Sequence, residues 1–128
     1  MPPVGRFAPS PTGELHFGSL VAAVASYLNV RSRGGQWLIR VEDIDPPREV
    51  AGSADSILLA LQRFGMRSDR PVLFQGSRQA AHRALSEKLL ERGLAFPCGC
   101  SRKDLPPSGL YPGTCRNGIP AGKTARAV

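Results

Sequence analysis

The chain has 128 residues, room for one domain or a domain with a small insert. Hydrophobic residues make up 41% and charged residues 21%, a globular balance that excludes a disordered or fibrous chain. Lys and Arg number 17 against 10 Asp and Glu, and the net charge of +7 suits a polyanion such as nucleic acid as well as a merely soluble basic surface.

Residues 3–8 read as a short strand, which Pro9 and Pro11 end in a rigid turn. The turn delivers His16-Phe17-Gly18-Ser19 to the start of a helix. Residues 20–30 have helical spacing, with Leu20, Val21, Val24, Tyr27 and Leu28 on one side and small residues between them. Gly34-Gly35 ends that helix. Residues 37–41 are rich in β-formers and make a second strand, with Trp37 packing at its start. Strand, helix and strand within about forty residues form a βαβ unit, hence a parallel pair.

Glu42-Asp43-Ile44-Asp45-Pro46-Pro47-Arg48-Glu49 follows at the carboxyl end of the second strand, where open α/β sheets place their ligands. Residues 53–64 predict a helix with Ile57, Leu58, Leu61 and Phe64 as its core face and Gly65 as its stop. Residues 72–74 form a short strand. Ser77 then caps a helix that runs to about Arg92, before Gly93. From Pro97 to Gly122 the composition shifts to Pro and Gly, and all three cysteines fall here, in a loop-rich insert that needs a staple. Residues 122–128 begin what reads as another strand.

Residues 1–6 lack the charged and apolar regions of a signal peptide. The longest apolar stretch, residues 20–28, is broken by Ser26 and is too short to span a bilayer. A cytoplasmic protein is expected. An odd number of cysteines argues there against a disulfide framework and for metal binding or free thiols.

A strand, turn and helix in succession leave unpaired N–H groups at the helix N-terminus, and these attract anions. Glycine at 18 removes a Cβ from the path of a base or phosphate, and His16 supplies a donor beside the phosphates. Arg6 has a planar fork suited to a carboxylate, and Glu42 a charge suited to an α-ammonium group. One fixed cation and one fixed anion at the ends of adjacent strands suit an amino acid. The residues alone leave open that Arg6 and Glu42 pair with each other, or that Glu42 caps a helix.

A tetrahedral zinc site wants four N, S or O ligands. Cys98, Cys100 and Cys115 offer three thiolates, and Tyr111 is an uncommon but available oxygen ligand. Both histidines, His16 and His82, lie outside the insert. Three free thiols with a packing tyrosine are the weaker alternative. Arg102, Lys103, Arg116, Lys123 and Arg126 cluster in or beside the insert, as nucleic-acid phosphate contacts or as a solvated basic face.

Arg-Phe-Ala-Pro-Ser-Pro-Thr-Gly-x-Leu-His-x-Gly at 6–18, followed by Arg-Val-Glu-Asp-Ile-Asp at 40–45, closely resembles the glutamyl branch of the class I aminoacyl-tRNA synthetases. The forms His16-Phe17-Gly18-Ser19-Leu20 and Asp43-Ile44-Asp45-Pro46-Pro47-Arg48-Glu49 are similar to a shortened paralogue within that branch, without an anticodon-binding domain. The ordinary enzyme more often has His-Ile-Gly-Gly, and Asp-Thr-Asp followed by Arg.

The resemblance covers essentially the whole chain. It implies an α/β, Rossmann-like class I catalytic domain, with residues 1–96 as its first half, 97–122 as a zinc-binding insert and 123–128 as the start of a continuation. Pro9, Ser10, Pro11, Thr12, Gly13, Glu14, Leu15, His16, Phe17, Gly18 and Ser19 would form the ATP-binding signature, with His16 and Ser19 as the catalytic pair near the phosphates. Ser19 stands where other class I enzymes have a second histidine. Arg6, Phe7, Ala8, Pro9 and Ser10, with Glu42, would bind glutamate. Cys98, Cys100, Tyr111 and Cys115 would hold one structural zinc ion.

The implied partners are L-glutamate, ATP with magnesium, and tRNA(Asp), with no membrane and a monomer when full length. The implied reaction activates glutamate with ATP and transfers it to the queuosine base at the wobble position of tRNA(Asp). The competing readings are part of an ordinary glutamyl-tRNA synthetase and a non-catalytic, zinc-stapled RNA-binding chain. A Lys-rich signature of the KMSKS type is absent from the 128 residues. The expectation is therefore an N-terminal portion that binds zinc, leaves a sheet edge unpaired and is inactive or nearly so alone.

Overall fold

Val4–Phe7 form strand β1 and Gln36–Val41 strand β2 in a computed structural model that describes residues 1–128. The two run parallel, with Val4 opposite Gln36 and Phe7 opposite Ile39. Helix α1 (Phe17–Arg31) crosses between them. Helix α2 (Ser53–Arg63) leads on to strand β3 (Leu73–Phe74), which pairs parallel with the far edge of β2. The sheet order is β1-β2-β3, so β1 and β3 are its edges. These elements lie in a compact unit, Met1–Gln79; the second unit is Ala80–Val128.

Alternation along β2 sends Trp37, Ile39 and Val41 into the core and leaves Leu38 and Arg40 half-buried on the other face. The buried face packs Phe7, Trp37 and Ile39 against Ala23 and Val30 of α1, Ile57 and Leu61 of α2, and Met66. Trp37 is fully buried, and its indole N–H donates to Ser26 Oγ at 2.9 Å. The Tyr27 ring meets it edge-on at 5.2 Å between centroids.

The apolar side expected for α1 divides. Leu20 and Tyr27 pack partly on the core, but Val21 and Leu28 are 50% and 59% exposed. The buried positions are Ala23 and Val30. The cause is close approach: a Cβ on Gly5 would lie 3.0 Å from Val30 Cβ and 3.3 Å from the Ser26 carbonyl oxygen. At that separation the sheet accepts the small side of the helix. Phe64, expected in the core, is exposed because α2 ends at Arg63 and Gly65, at φ 76°, turns the chain away; Met66 fills the space.

Ser77 is not a helix cap. Its hydroxyl donates to the Phe74 carbonyl at 2.6 Å, within a 3-10 turn, Gln75–Arg78. The Gly76 N–H instead donates to Asp43 Oδ1 at 2.8 Å. Asp69 ties the end of α1 to the start of β2: it accepts from Arg31 Nη2 at 2.8 Å and from the Trp37 N–H at 2.6 Å.

Helix α3 (Gln79–Glu91), which belongs to the second unit from Ala80 on, buries none of its residues and is followed by a left-handed turn at Gly93. The remainder is mostly irregular, with a 3-10 turn at Arg102–Asp104 and an antiparallel bridge between Cys98 and Ala127. Asp104 accepts from the Ser101 N–H and hydroxyl, both at 2.7 Å, and from Lys123 Nζ at 2.5 Å. No helix is long and apolar enough to cross a membrane.

Candidate active site and thiol cluster

The loop between β1 and α1 is held by alternate residues. The Glu42 N–H donates to the Pro9 carbonyl and the Val50 N–H to the Pro11 carbonyl, both at 2.9 Å. Gly13 donates its N–H to Ser53 Oγ at 3.0 Å and accepts the same hydroxyl's proton at its carbonyl. Prolines cannot donate, but their carbonyls accept, so a Pro-rich loop can still be anchored. Gly13 has φ 139°, a conformation other residues rarely adopt.

The anchored loop walls a cleft of about 400 Å³, lined by Phe7, Ala8, Pro9, Ser10, Thr12, Gly13, Glu14, Leu15, His16, Gly18 and Ser19, with Ala22 and Ile57 behind them. Its volume falls within the range of small-molecule sites. Pro11 is buried and Phe17 points to solvent at 81% exposure, and neither lines it.

His16 is the N-cap of α1. Its Nδ1 accepts the Ser19 N–H at 3.2 Å, and its Nε2 lies 2.9 Å from Ser19 Oγ. Gly18 has a role in this cap beyond admitting a ligand: a Cβ there would lie 3.3 Å from both Cε1 and Nδ1 of the His16 ring.

Arg6 and Glu42 do not line this cleft. Arg6 lies opposite Leu38 in register and alternates with the buried Phe7, so it is on the opposite sheet face and exposed. Glu42 Oε1 accepts from Arg40 Nη2 at 2.6 Å, with both side chains about a third exposed. Arg40 Nε and Gln75 Oε1 are buried without protein partners. Neither Arg40 nor Ser53 was among the expected site residues. Strand alternation could have found Arg40, two residues before Glu42; a serine following Gly52 at a helix start was the signal for Ser53.

In the second unit, the sulfurs of Cys98, Cys100 and Cys115 all lie within 4.8 Å of one another. Cys100 Sγ is 3.6 Å from Cys115 Sγ, and Cys98 Sγ is 3.5 Å from Tyr111 Oη. Zinc–sulfur bonds of about 2.3 Å at tetrahedral angles place sulfurs roughly 3.8 Å apart, so the donor set has the dimensions of a zinc site. The Tyr111 oxygen accepts the Cys115 N–H at 2.8 Å. The Gly99 N–H lowers the Cys115 thiol to about 7. Burial pushes Cys100 up to about 11, and the neighbouring Cys98 thiol raises the Tyr111 phenol. Without a cation the cluster favours one thiolate, at Cys115, and holds Cys100 and Tyr111 protonated; a divalent ion would stabilise all the anionic forms together.

The family model for the catalytic domain of class I tRNA synthetases (E and Q) matches residues 4–107. The glutamyl-Q tRNA(Asp) synthetase of Dechloromonas aromatica (strain RCB) is 55% identical over 132 residues, covering 96% of this chain and 44% of that protein. The enzyme of the same name from Burkholderia cenocepacia (strain HI2424) is 53% identical over 133 residues, with the same coverage of 96% and 44%. The chain thus spans less than half the length of these relatives. A solved glutamate tRNA ligase from Elizabethkingia meningosepticum CCUG26117, in complex with its amino acid, superposes with a TM-score of 0.72 at 32% identity, over 81% of this chain and 22% of that one. Glutamate-tRNA synthetase from Elizabethkingia anophelis does so with a TM-score of 0.65 at 36% identity, over 69% of this chain and 19% of that one. The parallel sheet, the loop anchored between β1 and α1, and the match through residues 4–107 agree: the chain belongs to the class I tRNA synthetases of the E and Q branch.

Proposed function

We propose that the chain supplies the ATP- and glutamate-binding part of an enzyme that activates glutamate and transfers it to the queuosine base of tRNA(Asp). The supporting observation is the cleft built almost wholly from residues 7–19 at the N-terminus of α1. Helix N–H groups and the His16 imidazole suit the phosphates of ATP bound with magnesium. Glutamate would lie against Ala8, Pro9 and Ser10, with Arg6 and Glu42, neither of which lines the cleft here, turning toward it once the Arg40–Glu42 contact opens. In the first step the glutamate carboxylate attacks the α-phosphorus, forming glutamyl-adenylate and releasing pyrophosphate. In the second, the nucleotide acceptor attacks the acyl carbon and AMP leaves. The protein contributes positioning and charge stabilisation, without a covalent intermediate on a side chain.

Two measurements test this. The chain should bind MgATP in calorimetric titration, and His16→Ala should weaken that binding. The chain continued with the remainder of the Dechloromonas aromatica relative should transfer labelled glutamate to queuosine-containing tRNA(Asp). Equal labelling of unmodified tRNA(Asp) would refute the acceptor and favour an ordinary glutamyl-tRNA synthetase.

We also infer that Cys98, Cys100, Tyr111 and Cys115 hold one structural zinc ion in an insert at residues 97–122. The insert buries little besides Gly99 and Cys115, so metal–ligand bonds would stand in for a core. The purified chain should carry about one equivalent of zinc. Less than about half an equivalent, with Cys115→Ala unchanged, removes the assignment.

A further inference from the structure

We propose that the backbone amide of Ser19 locks His16 in the neutral tautomer protonated at Nε2, and that the Ser19 hydroxyl occupies that N–H until a phosphate oxygen replaces it. A backbone N–H can only donate. The Ser19 amide 3.2 Å from His16 Nδ1 therefore requires a bare lone pair on Nδ1. A neutral imidazole then carries its single proton on Nε2. That N–H meets Ser19 Oγ at 2.9 Å.

Gly18 permits the arrangement. The ring folds back over the first turn of α1, and a Cβ at position 18 would lie 3.3 Å from Cε1 and Nδ1, so the ring would have to give by a few tenths of an ångström. His16, Gly18 and Ser19 thus act as one device: the glycine admits the ring, the amide sets its tautomer, and the hydroxyl holds its donor. The imidazole is presented as an aimed N–H donor on the wall of the cleft. Ser19 is in this sense a positioning residue that acts through His16. The hydroxyl's part rests on the reading of the cleft as an ATP site; the tautomer does not.

The chain has only two histidines, so His82→Gln leaves His16 as the sole imidazole for long-range proton–nitrogen NMR. In that background at neutral to mildly alkaline pH, the spectrum should show one Nε2–H tautomer. Ser19→Pro deletes the amide at a first-turn position where proline is tolerated, and should return the ring to the tautomer mixture of a free imidazole. An Nδ1–H form in the parent, or no change in Ser19→Pro, overturns the lock. Ser19→Ala keeps the amide and removes the hydroxyl. It should retain the Nε2–H tautomer and bind MgATP roughly fivefold more tightly, the worth of one neutral hydrogen bond no longer displaced. Equal or weaker binding shows that the hydroxyl is not a placeholder. Failure of the unaltered chain to bind MgATP overturns the ATP-site reading and the hydroxyl's role with it, while the tautomer spectra decide the lock independently.

Discussion

Ser53→Ala removes one oxygen atom and cuts two ties to the loop that walls the cleft. Ser53 is 5% exposed and stands at the first position of α2. Its hydroxyl accepts the Gly13 N–H at 3.0 Å and donates to the Gly13 carbonyl. Gly13 is half-buried, so water can reach part of what the substitution exposes. Each bond then counts at its net worth of about 1 kcal/mol and not at the full cost of an orphaned group. The expected loss is about 1–2 kcal/mol, concentrated at the loop because Pro9 and Pro11 keep their own anchors on Glu42 and Val50. A local loss of about 1.4 kcal/mol is tenfold in an opening equilibrium, so the Gly13 amide should exchange roughly tenfold faster with solvent deuterium. Amides of β2, such as Ile39, should accelerate only as far as global stability falls. Ser56→Ala, three residues further along α2, controls for the gain in helix propensity. Gly13 exchange unchanged in Ser53→Ala, or accelerated equally in Ser56→Ala, would refute the reasoning.

Gly35→Ala should cost about 3 kcal/mol or more in urea denaturation, because a Cβ would lie 2.2 Å from the Pro3 carbonyl oxygen, which accepts the Gln36 N–H. Its neighbour Gly34 has open space but φ 65°, so Gly34→Ala should cost only about 1–2 kcal/mol; the reverse order would overturn the steric argument. Asp69→Ala strands the N–H of the fully buried Trp37 and should lower stability by about 2 kcal/mol. The Arg31 hydrogen bond holds the Asp69 carboxyl below its ordinary 3.8, so its contribution is complete above that value and lost as pH falls through the lowered folded one. Denaturation midpoints of Asp69→Ala should therefore fall less on acidification than those of the parent. On the zinc proposal, Tyr111→Phe should weaken zinc by at least about tenfold in chelator competition, since it would remove the proposed oxygen ligand together with the acceptor of the Cys115 N–H.

The parts of the fold legible in sequence are those where one residue type has one mechanical consequence. Pro9 and Pro11 end β1, Gly65 and Gly93 end helices, and strand formers at residues 37–41 make β2, because each effect is local to the backbone. The buried side of α1 was not legible on that basis. Hydropathy ranks Val21, Val24 and Leu28 above Ala23, but contact distance decides which side faces the sheet. That distance is set by Gly5 against Val30, on two elements whose approach no periodicity encodes.

The same distinction runs through the site. Cys98, Cys100, Tyr111 and Cys115 are close in sequence, and their donor atoms meet within a short irregular segment. The signature at residues 9–19 folds into one loop and one helix turn, and most of it lines one cleft. Arg6 lies on β1 and Glu42 just past the end of β2, and only a crevice shared by the carboxyl ends of neighbours would bring them together. The stronger rule for a charge on a strand is its i±2 neighbour, and Arg40 reaches Glu42 at 2.6 Å before anything across the sheet does. In the proposed site an α-ammonium group would then have to outcompete a guanidinium for Glu42. In the proposed site Arg40 would keep the carboxylate neutralised while no amino acid is bound, and, with its side chain about a third exposed, its guanidinium would have donors left for a carboxylate arriving with the ammonium group. Arg40→Met would therefore be expected to strip the site of a guanidinium as well as of an ion pair, weakening glutamate where simple removal of a competitor would tighten it.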